Sequence, residues 1–375
     1  MTGSNYADLD TSSRVLLGPG PSMVSPRVLR AMATPLLGHL DPEFLQVMKE
    51  EQDLLRGLFQ TQNEMTLSIP GTGTAGMEAA LCNFIEPGDP VLIAVMGFFG
   101  ERLVEMARRY GAEVDRLDRP WGQVFDPAEI QAALKAKPYK LAALVHAETS
   151  TGALQPGIPE IAAAAHAQGA LLVLDTVTSL GGIPVEIDRW GVDVAYSAAQ
   201  KSLSCPPGLA PFTASERALG VLRSRKTPVA NWYLDLTGLE KYWQPPHAYH
   251  HTAPISLHFA LREGLRMVFE EGLQARFARH RANAELLWEG LEALDLPPLA
   301  PLDYRLATLT TPQIPPAADD MVVRKRLLDE YNIEIAGGFG PLKGKIWRIG
   351  LMGFSSRREN VTLLLAALEQ TLRNP

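Results

Sequence analysis

The sequence predicts an α/β fold in which a mostly parallel sheet, covered by helices on both faces, is joined to a smaller second unit. Three observations carry that expectation. Short apolar runs alternate with helix-forming stretches from about residue 40 to 215, at the spacing of strand–helix–strand crossovers. Most of these runs are apolar throughout rather than alternating, as strands buried on both faces require. After residue 215 the pattern changes, and a long helical stretch leads into a second set of short strands and helices. With 375 residues the chain is long enough for two such units.

Asp41-Pro42 opens a helix that runs to Gln60, with the carboxylate at the cap and the proline where no amide partner is needed. Asp126-Pro127 opens another through Lys135 in the same way. Gly111 and Gly169 close helices over 101–110 and 160–168, each supplying the left-handed residue that ends a helix. Strands are expected over 65–69, 91–95, 141–146, 170–174, 192–197 and 210–214, and a helix over 77–84. Residues 225–255, rich in Pro, Trp, Tyr and His, read as an irregular aromatic segment lying against something else. A helical stretch over 255–294, broken near Gly272, then leads to a strand at 306–310 and a helix at 321–331. Strands at 334–336 and 346–350 and a last helix at 359–372 follow, which places the boundary between the units near residue 270.

Composition removes several classes of function. Apolar residues are 46% of the chain and charged residues 21%, with a formal net charge of −7, so a general nucleic-acid footprint is not expected. The two cysteines, Cys82 and Cys205, lie in no metal-ligand spacing, which argues against a disulfide scaffold or a structural zinc site and points to a reducing compartment. No secretory leader pattern is visible, and no run approaches the roughly 18 to 20 apolar residues of a membrane span. A soluble, cytoplasmic protein without a metal or a membrane partner is expected.

Gly71-Thr72-Gly73-Thr74-Ala75-Gly76 satisfies the G-x-G-x-x-G pattern after one strand and before one helix. A nicotinamide dinucleotide would also need an acid about 20 residues on to hold the ribose hydroxyls. Phe98 and Phe99 stand there instead, so the NAD reading fails on its second requirement. Bare amides and the Thr72 and Thr74 hydroxyls at a helix start still make a cradle for one phosphate, the alternative being a tight turn without a ligand.

Asp175 ends the apolar strand 170–174 and so lies at the carboxyl edge of the sheet, where open α/β folds bind ligands. It could serve only as a helix cap. Lys201 follows the apolar strand 192–197, and could be only a solvated strand end. Together they suggest more: a desolvated lysine can lose its proton and form a Schiff base, and a carboxylate can keep a pyridine nitrogen protonated. With a one-phosphate cradle and an aromatic at Phe98 or Phe99 to stack on a flat ring, these are the parts that pyridoxal phosphate requires. Arg348, in the strand Ile346-Trp347-Arg348-Ile349-Gly350, is either an ion-pair partner or a bidentate clamp for a substrate carboxylate.

These residues carry a resemblance. LLGPGPS at 16–22, GTGTAGMEAAL at 71–81, GFFGER at 97–102, HAETSTGALQP at 146–156, LLVLDTVTSLGG at 171–182, SAAQK at 197–201, YHHT at 249–252 and WRIGLMG at 347–353 occur in one order over almost the whole chain. The chain resembles the class V, fold-type I pyridoxal-phosphate aminotransferases, above all the alanine-glyoxylate and serine-glyoxylate (serine-pyruvate) aminotransferases. The resemblance implies the large and small domains of that fold, at 14–270 and 271–375, with an N-terminal arm over 1–13 that wraps a partner. It implies that Lys201 forms the covalent link to pyridoxal 5′-phosphate and that Asp175 pairs with the ring nitrogen. Phe99 takes the stacking position and Val177 the ring's other face. Thr72, Gly73, Thr74 and Gln200 hold the phosphate, with Tyr249 and Thr252 reaching over from a second subunit. Thr149, or else Ser150, contacts the ring hydroxyl. Arg348 binds the substrate carboxylate, helped by backbone around Gly20, and the shared site implies a homodimer. Two positions depart from the family: Thr74 where some relatives carry His, and Pro70 where others have a small polar residue.

The activity so implied is transfer of an amino group from alanine or serine to glyoxylate or pyruvate. Only one carboxylate clamp stands in a motif position, which favours these over dicarboxylate substrates. The alternatives are a class V lyase of the cysteine desulfurase kind, an NAD-dependent enzyme, and a non-catalytic subunit. The first would need a mobile reactive cysteine, and Cys82 and Cys205 both sit in apolar or proline-bound surroundings.

Overall fold

The computed structural model describes residues 8–373, so the start of the expected arm lies outside the described residues, and residues 8–13 are exposed. The chain then forms strand β1 (Val15–Leu16), helix α1 (Pro26–Met32) and helix α2 (Pro42–Phe59), which Asp41 caps through the amide of Glu43. A seven-stranded sheet follows. Its strands are β2 (Met65–Pro70), β3 (Pro90–Val95), β4 (Glu113–Asp118), β5 (Leu141–Val145), β8 (Leu171–Asp175), β9 (Val194–Tyr196) and β10 (Leu209–Ala214), in the order β2-β10-β9-β8-β5-β3-β4. Only β10 runs against its neighbours.

The sheet is covered on both faces, and the reason is visible residue by residue. Val91, Ile93 and Val95 of β3 enter one core with Leu141, Ala143 and Val145 of β5, while Leu92, Ala94, Ala142 and Leu144 enter the other. Continuous apolar strands supply both faces because successive side chains point opposite ways. Helices α3 (Gly73–Cys82), α4 (Phe98–Arg109), α8 (Glu216–Arg223) and α9 (Leu236–Trp243) cover the first face. Helices α5 (Pro127–Leu134), α6 (Ile158–Ala167) and α10 (Ile255–Glu271) cover the second. The short pair β6 (Ala147–Glu148) and β7 (Ala153–Leu154) and helix α7 (Ile187–Trp190) lie in the connections.

After the break at Gly272, helix α11 (Leu273–Ala293) leads to β11 (Leu309–Thr310), α12 (Asp320–Tyr331), β12 (Ile333–Glu334), β13 (Ala336–Gly337), β14 (Trp347–Gly350) and α13 (Arg358–Arg373). These make a separate core in which Trp347 and Ile349 meet Leu364 and Leu368 of α13. Leu17 joins that core, and β1 pairs in parallel with β12, so residues 15–17 pack in the last unit.

Several expectations need correction. The segment 225–255 is not wholly irregular, since α9 forms within it behind an Asp235 cap. The edge strand β4 was not among the expected strands, because its side chains are largely turned to water and give it no apolar run. The strand at 334–336 is two short strands serving different sheets, and that at 306–310 shortens to two residues. Among the described residues no helix is long and apolar enough to cross a membrane.

Candidate active site

The loops that carry the glycine run, Phe99, Asp175 and Lys201 leave the sheet at one edge, the carboxyl ends of β2, β3, β8 and β9. Asp175 is the last residue of β8 and is buried. Its Oδ1 accepts from the Val177 amide and its Oδ2 from the Tyr196 hydroxyl, both at 2.8 Å. Tyr196 lies directly across from it on β9. Burial raises the Asp175 carboxyl to about 7 against the pull of these two donors, and the nearby Glu148 adds to the rise.

Lys201 follows β9 after a four-residue turn, and its Nζ donates to the Pro19 carbonyl. Burial lowers this amine to about 8; Arg348 pushes the same way and Asp175 opposes it. Gly20 has φ +112°, and a Cβ there would lie 2.6 Å from Lys201 Nζ. A glycine is therefore what lets the N-terminal loop press against the amine.

A cavity of about 190 Å³ brings together Thr72, Gly73, Thr74, Phe99, Asp175, Val177, Gln200 and Lys201, with Met77, Arg102 and Ala198 completing its wall. At one end is the start of α3, where Thr72 occupies the cap position without using its side chain as a cap. A Cβ on Gly73 would come within 2.9 Å of Ala198, so the close approach needs glycine. Gln200 Oε1 is buried there without a hydrogen-bond partner. Arg102 donates to Thr74 Oγ1 at 3.0 Å, and its guanidinium lies 4.9 Å from the centre of the Phe99 ring. The cavity thus has an electropositive end for an anion and, on its wall, a lysine and an aspartate with displaced pKa values.

Arg348 lies outside this wall but within its field. It is 4% exposed, makes no ion pair among the described residues, and is lowered to about 10 by burial. Its Nε donates to the Gly337 carbonyl at 2.7 Å, and its guanidinium stacks 3.8 Å from the Phe339 ring. Of the two readings open in the sequence, the ion-pair partner is the one this geometry does not contain. Glu148 acts on it from a distance, but with no carboxylate in ion-pair contact a buried guanidinium is costly unless an anion is brought to it.

Thr149, Ser150, Tyr249 and Thr252 do not line the cavity. Thr149 is buried against the Thr178 hydroxyl. The Ser150 hydroxyl is committed twice, donating to Glu148 Oε1 at 2.7 Å and accepting from the Phe98 amide at 3.0 Å. Tyr249 is 63% exposed and rests on His39, and Thr252 is also exposed. Sequence reasoning missed Arg102, Glu148 and Tyr196. Arg102 and Glu148 lie inside motifs already singled out, one turn after Phe98 and just before Thr149; Tyr196 looked like one more apolar strand residue.

Comparison with known proteins gives the same direction. The family profile described as aminotransferase class-V matches residues 15–346. An (S)-ureidoglycine–glyoxylate transaminase of Bacillus subtilis is 43% identical, covering 98% of this chain and 93% of that protein. An alanine–glyoxylate aminotransferase of Drosophila melanogaster is 40% identical, covering 96% and 93%. The solved structure of an alanine–glyoxylate aminotransferase from Nostoc sp. superposes with a TM-score of 0.97 at 54% identity, covering 99% of this chain and 98% of that one.

Proposed function

The chain belongs to the class-V aminotransferase family, and on that premise we propose that it moves an amino group from a small amino acid, alanine or serine, to glyoxylate or pyruvate, using pyridoxal 5′-phosphate. The observation that carries the proposal is the opening of Lys201 and Asp175 into one cavity whose other end is the start of α3. The cavity's chemistry fits the cofactor. Thr72, Gly73, Thr74 and Gln200 would hold the phosphate at the start of α3, with the Arg102 charge beside it. Phe99 and Val177 would enclose the ring. Thr149, or else Ser150, would contact the ring hydroxyl; the first is now engaged with the Thr178 hydroxyl and the second with Glu148 and the Phe98 amide.

When bound, pyridoxal phosphate supplies an aldehyde for covalent attachment and a cationic ring that accepts the electron pair released at the substrate's α-carbon. Asp175 would keep the proton on the ring nitrogen, and a cation opposite it would draw its own pKa back down. Lys201 Nζ, at about 8 when the cavity is otherwise protein-lined, has the neutral fraction needed to take the α-proton and return it. Arg348 would receive the substrate carboxylate in the plane left open by Gly337 and Phe339. Tyr249 and Thr252 would reach the site of a second subunit, making the working form a homodimer.

The test begins with colour. Purified protein should show a visible band that moves on adding L-alanine or L-serine, and Lys201→Ala should lower steady-state transamination by at least about 10³-fold. Full turnover in that variant, or a wild type that binds no pyridoxal phosphate, overturns the proposal. A second donor, (S)-ureidoglycine, is favoured by the 43% identical Bacillus protein. Initial rates of alanine, serine, glutamate and ureidoglycine against glyoxylate and pyruvate separate the two. A desulfurase reading lacks its nucleophile: both thiols are buried and pushed up to about 12.

A further inference from the structure

Helix α4 carries Phe99 and Arg102 into the cavity wall, yet its cap residue, Gly97, has no side chain with which to cap it. The exposed amides at a helix start must be satisfied by something. Here the partners come from the strand β6 and the turn after it. The Phe98 amide donates to Ser150 Oγ at 3.0 Å, and the Phe99 amide to Glu148 Oε1 at 3.5 Å. Ser150 in turn donates to the same Glu148 Oε1 from its amide at 3.0 Å and its hydroxyl at 2.7 Å. Both residues are fully buried. The approach is tight: a Cβ on Gly97 would lie 2.5 Å from Ser150 Oγ and nearer still to the Glu148 carboxyl. Glu148 Oε2 is buried without a partner, so all the hydrogen bonding of this carboxyl is concentrated on the oxygen that faces α4 and Ser150.

We propose that Glu148 is a positioning residue: from 49 residues along the chain its Oε1, together with Ser150 Oγ, caps α4 and thereby sets where the Phe99 ring and the Arg102 guanidinium stand in the cavity. A negative or hydrogen-bond-accepting group at a helix start is favourable on general grounds, and here it is delivered by a strand rather than by the helix's own leading residue. The consequence for the reaction rests on the aminotransferase reading, since Phe99 matters there as the surface on which the cofactor ring lies. The capping itself does not.

The experiment compares wild type with Glu148→Ala, Glu148→Gln and Ser150→Ala. Three readouts are taken on the cofactor-loaded protein: amide hydrogen exchange over residues 97–102, circular dichroism of the visible band, and steady-state kinetics. Loss of the cap in Glu148→Ala should speed exchange at the Phe98 and Phe99 amides about tenfold. It should change the circular dichroism of the band and lower kcat roughly 10- to 100-fold with little change in KM for the amino donor. Glutamine keeps an acceptor oxygen in the same place whatever the protonation of the carboxyl, so Glu148→Gln should recover most of all three. Glu148→Gln behaving like Glu148→Ala would mean that charge and not capping matters, and would overturn the proposal. Unchanged exchange in Glu148→Ala overturns it as well. Where that variant does not fold, Ser150→Ala decides, because it removes only the partner of the Phe98 amide and must speed exchange there. A wild type without a visible band would sink the aminotransferase reading, while exchange in the same four proteins would still decide the capping.

Discussion

At the scale of single residues, the site is a set of charges kept from water at a cost. Asp175 makes the clearest prediction. In the cofactor-free protein its folded value of about 7 lies above its ordinary 3.8, so the folded chain holds a proton that the unfolded chain has released between those values. Stability from this group is complete below about 4 and is lost as pH rises toward 7. Asparagine cannot titrate and keeps an acceptor for the Val177 amide. Wild type should therefore lose ground to Asp175→Asn from about pH 4 to 7, by at most about 1.4 kcal/mol per pH unit, and then hold level. Urea titrations of the two proteins across that range check it, and a constant difference would show that the carboxyl is ionised throughout. Asp175 and Lys201 were legible in the sequence because a charged residue at the end of an apolar strand, or a few residues past one, is conspicuous. Glu148 and Arg102 were not, since a carboxylate in a two-residue strand and an arginine in an amphipathic helix are ordinary until the fold sets Glu148 against the start of the helix that carries Arg102.

Elements differ in how openly they declare themselves, and the physical reason is burial. Strands β3, β5 and β8 could be read directly because both their faces are inside, and the Asp-Pro starts of α2 and α5 because capping is a local matter. The edge strand β4 could not: Glu113, Asp115 and Asp118 give it a charged pattern that only the neighbouring β3 makes sense of. Helix α9 was hidden by the prolines and aromatics on either side of it, and β12 and β13 by their length of two residues each. A local device can be tested locally. Asp126 and Glu129 form a complete capping box at the start of α5, on the far core from α4. Asp126→Ala should cost about 1 kcal/mol in urea unfolding and leave transamination rates as they are. A loss of activity out of proportion to stability would mean that α5 is coupled to the site in a way its packing does not suggest.

On the scale of the whole molecule, the described residues leave an aromatic surface uncovered next to the very residues expected to serve another subunit. Trp232 is 69% exposed and stacks on His250, whose Nε2 is buried without a partner, and Tyr249, the residue before His250, is exposed as well. Large exposed aromatics in one stretch are what a surface covered on association looks like. If Tyr249 and Thr252 complete the partner's cavity, the two halves of each site come from different chains, and that can be tested without any structure. A Lys201→Ala protein is inactive for want of its amine, and a Tyr249→Ala, Thr252→Ala protein should be strongly impaired for want of its reach. Mixed and allowed to exchange subunits, equal amounts form hybrid dimers in which one site has lost both contributions and the other has lost neither. With half the dimers hybrid, about a quarter of all sites regain full activity. Activity that appears on mixing and tracks subunit exchange establishes shared sites. If mixing restores nothing although hybrids form, Tyr249 and Thr252 act within their own chain, and the exposed aromatic face has some other occupant.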